Sequence, residues 1–190
     1  LHYKEFNTED SLIDYVVDAL INQKIVGWFQ GRFEWGPRAL GNRSILADPR
    51  NPKMKDIVNL KIKFREPFRP FAPSILNEYT QDFFDIERKM DTHFPFKFML
   101  YTLPVKKEEL IPAVTHVNGT SRIQIITRED NSLYFNLIAK FYQKTNIPLL
   151  LNTSFNLKWE PIVNTPENAY STFIKSDMDI LVLGNCVVRK

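Results

Sequence analysis

The chain is expected to fold as an α+β (α/β) domain, a twisted mixed β-sheet flanked by helices. Three observations lead there. Apolar residues recur at the three-and-four spacing of a buried helix face in several separate segments. Short apolar runs of strand length lie between those segments, and some follow one another with no helix in between, which calls for a mixed sheet. A length of 190 residues, 44% of them hydrophobic and 13% aromatic, suits one domain with a substantial core and is too apolar for disorder.

A helix is predicted over residues 8–23, where Ile13, Val16, Val17, Leu20 and Ile21 share a face and Thr8 or Asp10 can cap. Residues 25–29 read as a short strand, followed by a Gly- and Arg-rich loop through Ser44. Asn51 and Pro52 fit an N-cap and a first-turn proline for a helix burying Met54, Ile57 and Val58. Strands are placed at 71–76 and 98–103; in the mixed, aromatic-rich stretch 77–96 between them only a short helix at 79–84 is assigned. Residues 122–127 alternate like a strand, and Tyr134, Leu137, Ile138, Phe141 and Tyr142 mark a second amphipathic helix. A buried strand follows at 148–151. Thr165 and Pro166 then open a helix with Tyr170, Phe173 and Ile174 inward, and strands at 179–183 and 187–189 close the chain. No repeat, low-complexity tract or interdomain linker is visible, so 1–190 is taken as a single domain.

The charge is uneven. Between Gly31 and Phe71 stand Arg32, Arg38, Arg43, Arg50, Arg65 and Arg69 with Lys53, Lys55, Lys61 and Lys63, against Glu34, Asp48, Asp56 and Glu66. Ten positive charges against four negative leave this window at +6, while the whole chain is +3, so the remainder is −3. A local excess of this kind suggests an anion site more than a generally basic surface. No apolar run approaches the roughly 20 residues of a membrane-spanning helix, and the start lacks a signal-peptide pattern. The single cysteine, Cys186, cannot form an internal disulfide, is expected to be buried, and fits a reducing cytoplasm. The first residue is Leu, which reads as a fragment of a longer protein or a start after an initiator.

Arg38 and Arg43, five apart among Gly36, Pro37, Gly41 and Asn42, can aim two guanidiniums into one concavity suited to phosphate; the alternative is surface pairing with Glu34 and Asp48. On an extended chain Lys61, Lys63 and Arg65 share one face, a cationic strand in need of an anion or a solvated edge. His116, Thr120 and Arg122 surround an Asn118–Gly119 turn, which by itself is a hairpin signal. Asn152, Ser154 and Asn156 open from the end of a buried strand, where amides and hydroxyls either bind a nucleotide or merely cap turns. Neither a Walker sequence nor GxGxxG is present. His2, His93 and His116 have no companions at metal spacing, so no metal site is expected in this chain.

Four ordered motifs, EWGPRALGNRSILADPR, KFREPFRPFAP, IPAVTHVNGTSR and LLLNTSFNLKWEPIV, resemble the carboxy-terminal, YrdC-like domain of the NodU/CmcH-type O-carbamoyltransferase family. The resemblance runs from about Ile25 to Leu183. It implies a YrdC-like sheet and a transferase domain that activates a carbamoyl group: ATP and carbamoyl phosphate bind, carbamoyl-adenylate forms and pyrophosphate leaves. The carbamoyl group then passes to a small-molecule hydroxyl in an amino-terminal Kae1-like domain, absent from this chain, which carries its own metal. Mg²⁺ is expected to arrive with ATP. The residues carried over are Lys63, Arg65 and Arg38 for catalysis and Arg43, Arg69, His116, Thr120, Arg122, Asn152, Ser154 and Asn156 for binding. Asn118 replaces the Asp of the family's HVDGT, and Trp159 replaces its Gly. The alternatives are a nucleotide or anion-binding module without chemistry of its own and a YrdC-type RNA-binding domain; a net charge of +3 argues against nucleic acid.

Overall fold

The computed structural model describes residues 2–66, 68–87 and 94–190. Its framework is a mixed sheet of eight strands: β1 (His2–Glu5), β2 (Val26–Phe29), β3 (Arg43–Ala47), β4 (Ala72–Leu76), β7 (Gln124–Ile126), β8 (Leu149–Ser154), β9 (Ile180–Leu183) and β10 (Cys186–Arg189). The spatial order is β1-β10-β9-β2-β3-β8-β4-β7. Two pairings, β2 with β9 and β4 with β7, are parallel, and the others are antiparallel. A separate ribbon joins β5 (Thr102–Pro104) to β6 (Thr120–Arg122). The mixed sheet and helices are the architecture predicted from the sequence.

The central strands read as apolar runs because both faces are covered. All four residues of β2 and all five of β3 and β4 are buried. Helix α1 (Glu9–Ile21) buries Leu12, Ile13, Val16, Val17 and Leu20 and is capped by Thr8, whose hydroxyl accepts from the Ser11 amide at 3.3 Å. It packs along α5 (Ser132–Thr145), which leans on β4 and β8, while α6 (Pro166–Lys175) leans on β2 and β9. A capping box at Thr165 and Asn168 starts α6. The short helices α2 (Met54–Val58), α3 (Thr80–Phe83) and α4 (Phe94–Lys97) fill the connections.

Several predicted elements differ from the structure. Arg43 and Ser44 belong to a strand, since the loop ends once β3 can pair with both β2 and β8. The cationic strand through Lys61, Lys63 and Arg65 is a π-helical turn, Asn59–Lys63, continuing α2; Ile62 and Lys63 turn inward while Leu60 and Lys61 face solvent. Only the end of the expected 98–103 strand forms, as β5. The predicted 122–127 strand breaks at Ile123 into β6 and β7, and the 148–151 strand runs on to Ser154. In α6 the inward residues are Ala169, Thr172 and Phe173, with Tyr170 and Ile174 exposed. Helix α2 starts at Met54, just beyond the expected proline. Cys186 is half-buried. Within 77–96, residues 88–93 lie outside the described residues, as does the expectation that His93 holds no metal.

The loop between β2 and β3 is held from within. The Glu34 carboxylate accepts the amides of Leu40 (2.7 Å), Asn42 (2.9 Å) and Arg43 (3.0 Å), and the Gly41 carbonyl accepts from the buried Trp28 indole at 2.9 Å. At Gly41, φ is +112°, and a Cβ there would stand 2.3 Å from Tyr134 Cδ1. Gly41→Ala is therefore expected to cost about 2–4 kcal/mol, from overpacking and backbone strain together. Gly36→Ala, with φ +100° and open space around it, should cost only about 1 kcal/mol of backbone strain. Urea unfolding of both variants checks the difference; equal costs would contradict the contact with Tyr134.

Candidate functional site

The site forms where the end of β8 meets the π-helical turn. Lys63 is 5% exposed, and its ammonium donates into four oxygens of the β8 end: Ser154 O (2.5 Å), Ser154 Oγ (3.3 Å), Asn156 O (3.0 Å) and Asn156 Oδ1 (2.8 Å). Burial and the charge of Arg65 push its pKa down to about 7 from the ordinary 10.5. The four oxygens act the other way, because they solvate the charged form. A widened turn ending at Phe64, in the left-handed region at φ +45°, aims this side chain inward.

Arg65 is held by three groups. Its Nε donates to Asn59 Oδ1 at 2.7 Å, a terminal nitrogen donates to Pro70 O at 3.4 Å, and its guanidinium lies 4.6 Å from the Phe71 ring centre. Arg65 lines a cavity of about 90 Å³ together with Arg38, Arg122, Asn152, Thr153 and Ser154. Three guanidiniums thus share a small space with no carboxylate among its described lining residues. Burial first, and then the charges of Arg69 and Arg122, lower the Arg65 pKa to about 10. Arg122 is lowered in the same way by burial and Arg38, and its Nε is buried with no partner among the described residues. An uncompensated cluster of this kind is stabilised when an anion enters.

A second cavity of about 280 Å³ adjoins the first through the shared Arg65 and Ser154, and adds Lys63, Glu66, Arg69, Asn156, Lys158 and Trp159. Arg69 pairs with Glu66 at 3.0 Å across an exposed rim.

Other predicted site residues lie elsewhere. Arg43 is 4% exposed, 3.6 Å from the Phe29 ring, and donates to the carbonyls of Gln30 (2.5 Å), Gly31 (3.2 Å) and Asn42 (3.1 Å). It lines neither cavity, because those carbonyls and the aromatic face occupy its guanidinium. The alternative reading, side-chain pairing of Arg38 and Arg43 with Glu34 and Asp48, does not form among the described residues: Glu34 takes backbone amides, and Asp48 takes Arg50 at 2.6 Å. Arg38 is left without a carboxylate among the described residues. His116 and Thr120 hydrogen-bond each other at 3.1 Å in the turn below Arg122, and Asn118 accepts from the Thr120 hydroxyl at 2.8 Å. Burial, Arg122 and Lys55 lower the His116 pKa, and its ring supports the hairpin that carries Arg122.

Asn152 lines the smaller cavity but ties the sheet together: its amide nitrogen donates to Ala39 O (3.2 Å), Ser74 Oγ (2.9 Å) and Gln124 Oε1 (3.1 Å). Sequence reasoning missed Lys158, and it missed Asn59 and Phe71, which orient Arg65. Lys158 was findable as a cation beside the NTSFN motif; Asn59 and Phe71 depend on the turn and carried no sequence signal. Among the described residues no group of three or more His, Cys, Asp or Glu stands together as a metal site, and no helix is long and apolar enough to cross a membrane.

The family described as "Carbamoyltransferase C-terminus" matches residues 17–190. The nodulation protein NolNO of Sinorhizobium fredii is 45% identical over 183 residues, covering 95% of this chain and 26% of the relative. The nodulation protein NolO of Bradyrhizobium diazoefficiens is 44% identical over 188 residues, covering 98% and 34%. The chain thus spans about a third or less of those relatives. Full-length HypF, solved in a phosphate- and nucleotide-bound form, shares the fold with a TM-score of 0.62 and 16% identity, over 96% of this chain and 22% of that one.

The Lys63 environment makes stability depend on pH. Its folded value, about 7, lies below the ordinary 10.5, so between those values the unfolded chain binds more protons. The unaltered chain should therefore gain stability relative to Lys63→Met as pH rises through that window. Denaturant unfolding at pH about 7 and about 9.5 checks the sign; a difference that does not change with pH contradicts it.

Proposed function

The chain belongs to the family of carbamoyltransferase C-terminal domains, and from that premise we propose that it is the carbamoyl-activating part of its enzyme, binding ATP and carbamoyl phosphate. The observation that carries this reading is the cavity lined by Arg38, Arg65 and Arg122 with no carboxylate among the described lining residues. It shares Arg65 and Ser154 with the larger cavity of Lys63, Arg69 and Lys158, whose one acidic lining residue among those described, Glu66, pairs with Arg69. Two adjoining cationic spaces, one small and one larger, suit two phosphate-bearing substrates side by side. The phosphate- and nucleotide-bound form of HypF, a protein of the same fold, supports the assignment.

In the proposed reaction, water releases inorganic phosphate from carbamoyl phosphate. The freed carbamate oxygen then attacks the α-phosphorus of ATP, forming carbamoyl-adenylate as the bond to pyrophosphate breaks. Charge develops on oxygens at each step, so positioned cations do most of the work. Arg38, Arg65 and Arg122 neutralise the phosphates in the smaller cavity, and Arg69 and Lys158 those in the larger. Lys63 adds its charge while fixing Ser154 and Asn156, which line the larger cavity. Mg²⁺ travels on the nucleotide's own phosphates. The activated group passes to a hydroxyl acceptor in an amino-terminal portion of the full-length protein, which the greater length of the relatives leaves room for.

ATP–pyrophosphate exchange tests the proposal. Exchange should require carbamoyl phosphate and Mg²⁺ and fall at least about 100-fold in Arg65→Ala and Lys63→Ala, with the exposed Arg128→Ala as an unchanged control. Exchange that persists in both site variants would overturn the residue assignment, and ATP binding with no exchange would leave a binding module that needs its partner for chemistry.

A further inference from the structure

Trp159 stands out on three counts. It is 92% exposed, at the edge of the cavity that also contains Lys63, Arg69 and Lys158. Its φ of +68° lies in the left-handed region, which is costly for a bulky residue. It is also not on a loose loop. The Glu160 amide closes a four-residue turn onto Leu157 O at 3.2 Å, placing Trp159 third in the turn, where a glycine would be unstrained. Asn156 Nδ2 donates to Glu160 O at 2.7 Å, the Leu157 amide donates to Glu160 Oε2 at 3.3 Å, and Thr172 donates to the same carboxylate at 3.3 Å.

That turn therefore hangs from Asn156, whose other side-chain atom accepts from Lys63. The backbone that carries the indole is tied to the residues of the cavity, and the position costs backbone strain and exposed apolar surface. Packing does not explain it, since the ring is almost wholly open to solvent and, among the described residues, its aromatic face is approached by the Lys158 ammonium at 5.4 Å.

We infer that Trp159 is a stacking platform for the base of the nucleotide whose phosphates the cationic cavities hold. This inference rests on the nucleotide reading of the site and adds a specificity residue to it. A flat π surface beside a phosphate-binding cavity takes any base by its face and holds it without hydrogen-bond readout. Lys158 lines the same cavity, with its ammonium 5.4 Å from the ring centre. The residue sets the preference for a nucleoside triphosphate over a bare polyphosphate, while the phosphate affinity itself belongs to the arginines.

Calorimetric titration with Mg-ATP and with magnesium tripolyphosphate, for the unaltered chain and for Trp159→Ala, Trp159→Gly and Trp159→Phe, tests it. ATP affinity should fall by about tenfold in the Ala and Gly variants, with Phe keeping most of it, while tripolyphosphate affinity stays the same in all four proteins. The Gly variant should also melt at a higher temperature, because the left-handed position is relieved. ATP affinity unchanged in the Ala and Gly variants overturns the platform, and so does an equal fall for both ligands. Failure of the unaltered chain to bind either ligand overturns the underlying nucleotide reading instead, so the two failures are distinguishable.

Discussion

The interaction on which the site depends is the burial of the Lys63 ammonium among four oxygens at the end of β8. A buried ammonium is costly unless fully solvated by the protein, and here the solvating groups are the Ser154 and Asn156 backbone and side chains. One side chain thereby joins the π-helical turn to the strand end and fixes where Arg65, two residues later, can lie. Arg65 is in turn set by Asn59 and Phe71. Arg65 thus has a defined geometry before any ligand arrives, and preorganised charge of this kind costs no reorganisation when an anion binds.

The sheet supplies the other side of the cavity. Asn152, 1% exposed on β8, reaches Ser74 of β4, Gln124 of β7 and the Ala39 carbonyl of the β2–β3 loop. Gln124 also donates to Leu40 O at 2.8 Å, and Ser74 to Gln124 at 2.6 Å. This buried polar network registers three strands against the loop that carries Arg38, through the amide nitrogen of Asn152; its Oδ1 is buried without a partner among the described residues. Asn152 therefore acts on the site by position, as Glu34 does by gathering three loop amides.

Much of the fold was legible in the sequence. The faces of α1 and α5 repeat apolar residues at helical spacing, and Thr8 and Thr165 are strong caps, so those helices announce themselves. β3 was hidden because its first residue, Arg43, continues an Arg-rich loop; only pairing with β2 and β8 turns it into a strand. The alternation of Lys61, Lys63 and Arg65 mimics a strand, yet burial of Ile62 and Lys63 together requires neighbouring side chains to turn the same way, which a helical turn allows. The charge excess of 31–71 located the cationic region. It did not distinguish Arg38 and Arg65, which reach the cavity, from Arg43, which stacks on Phe29 and donates to carbonyls. That distinction depends on tertiary neighbours. Trp159 was visible as a departure from a motif, but its strain and its exposure are properties of the folded turn.

The most direct measurement is a crystal structure of the chain soaked with Mg-ATP. The account predicts triphosphate density against Arg38, Arg65 and Arg122 or against Lys63, Arg69 and Lys158, within the two adjoining cavities. Nucleotide bound instead in the larger groove of about 810 Å³ between Lys24, Lys61 and Lys190, with the guanidinium cluster empty, would contradict it.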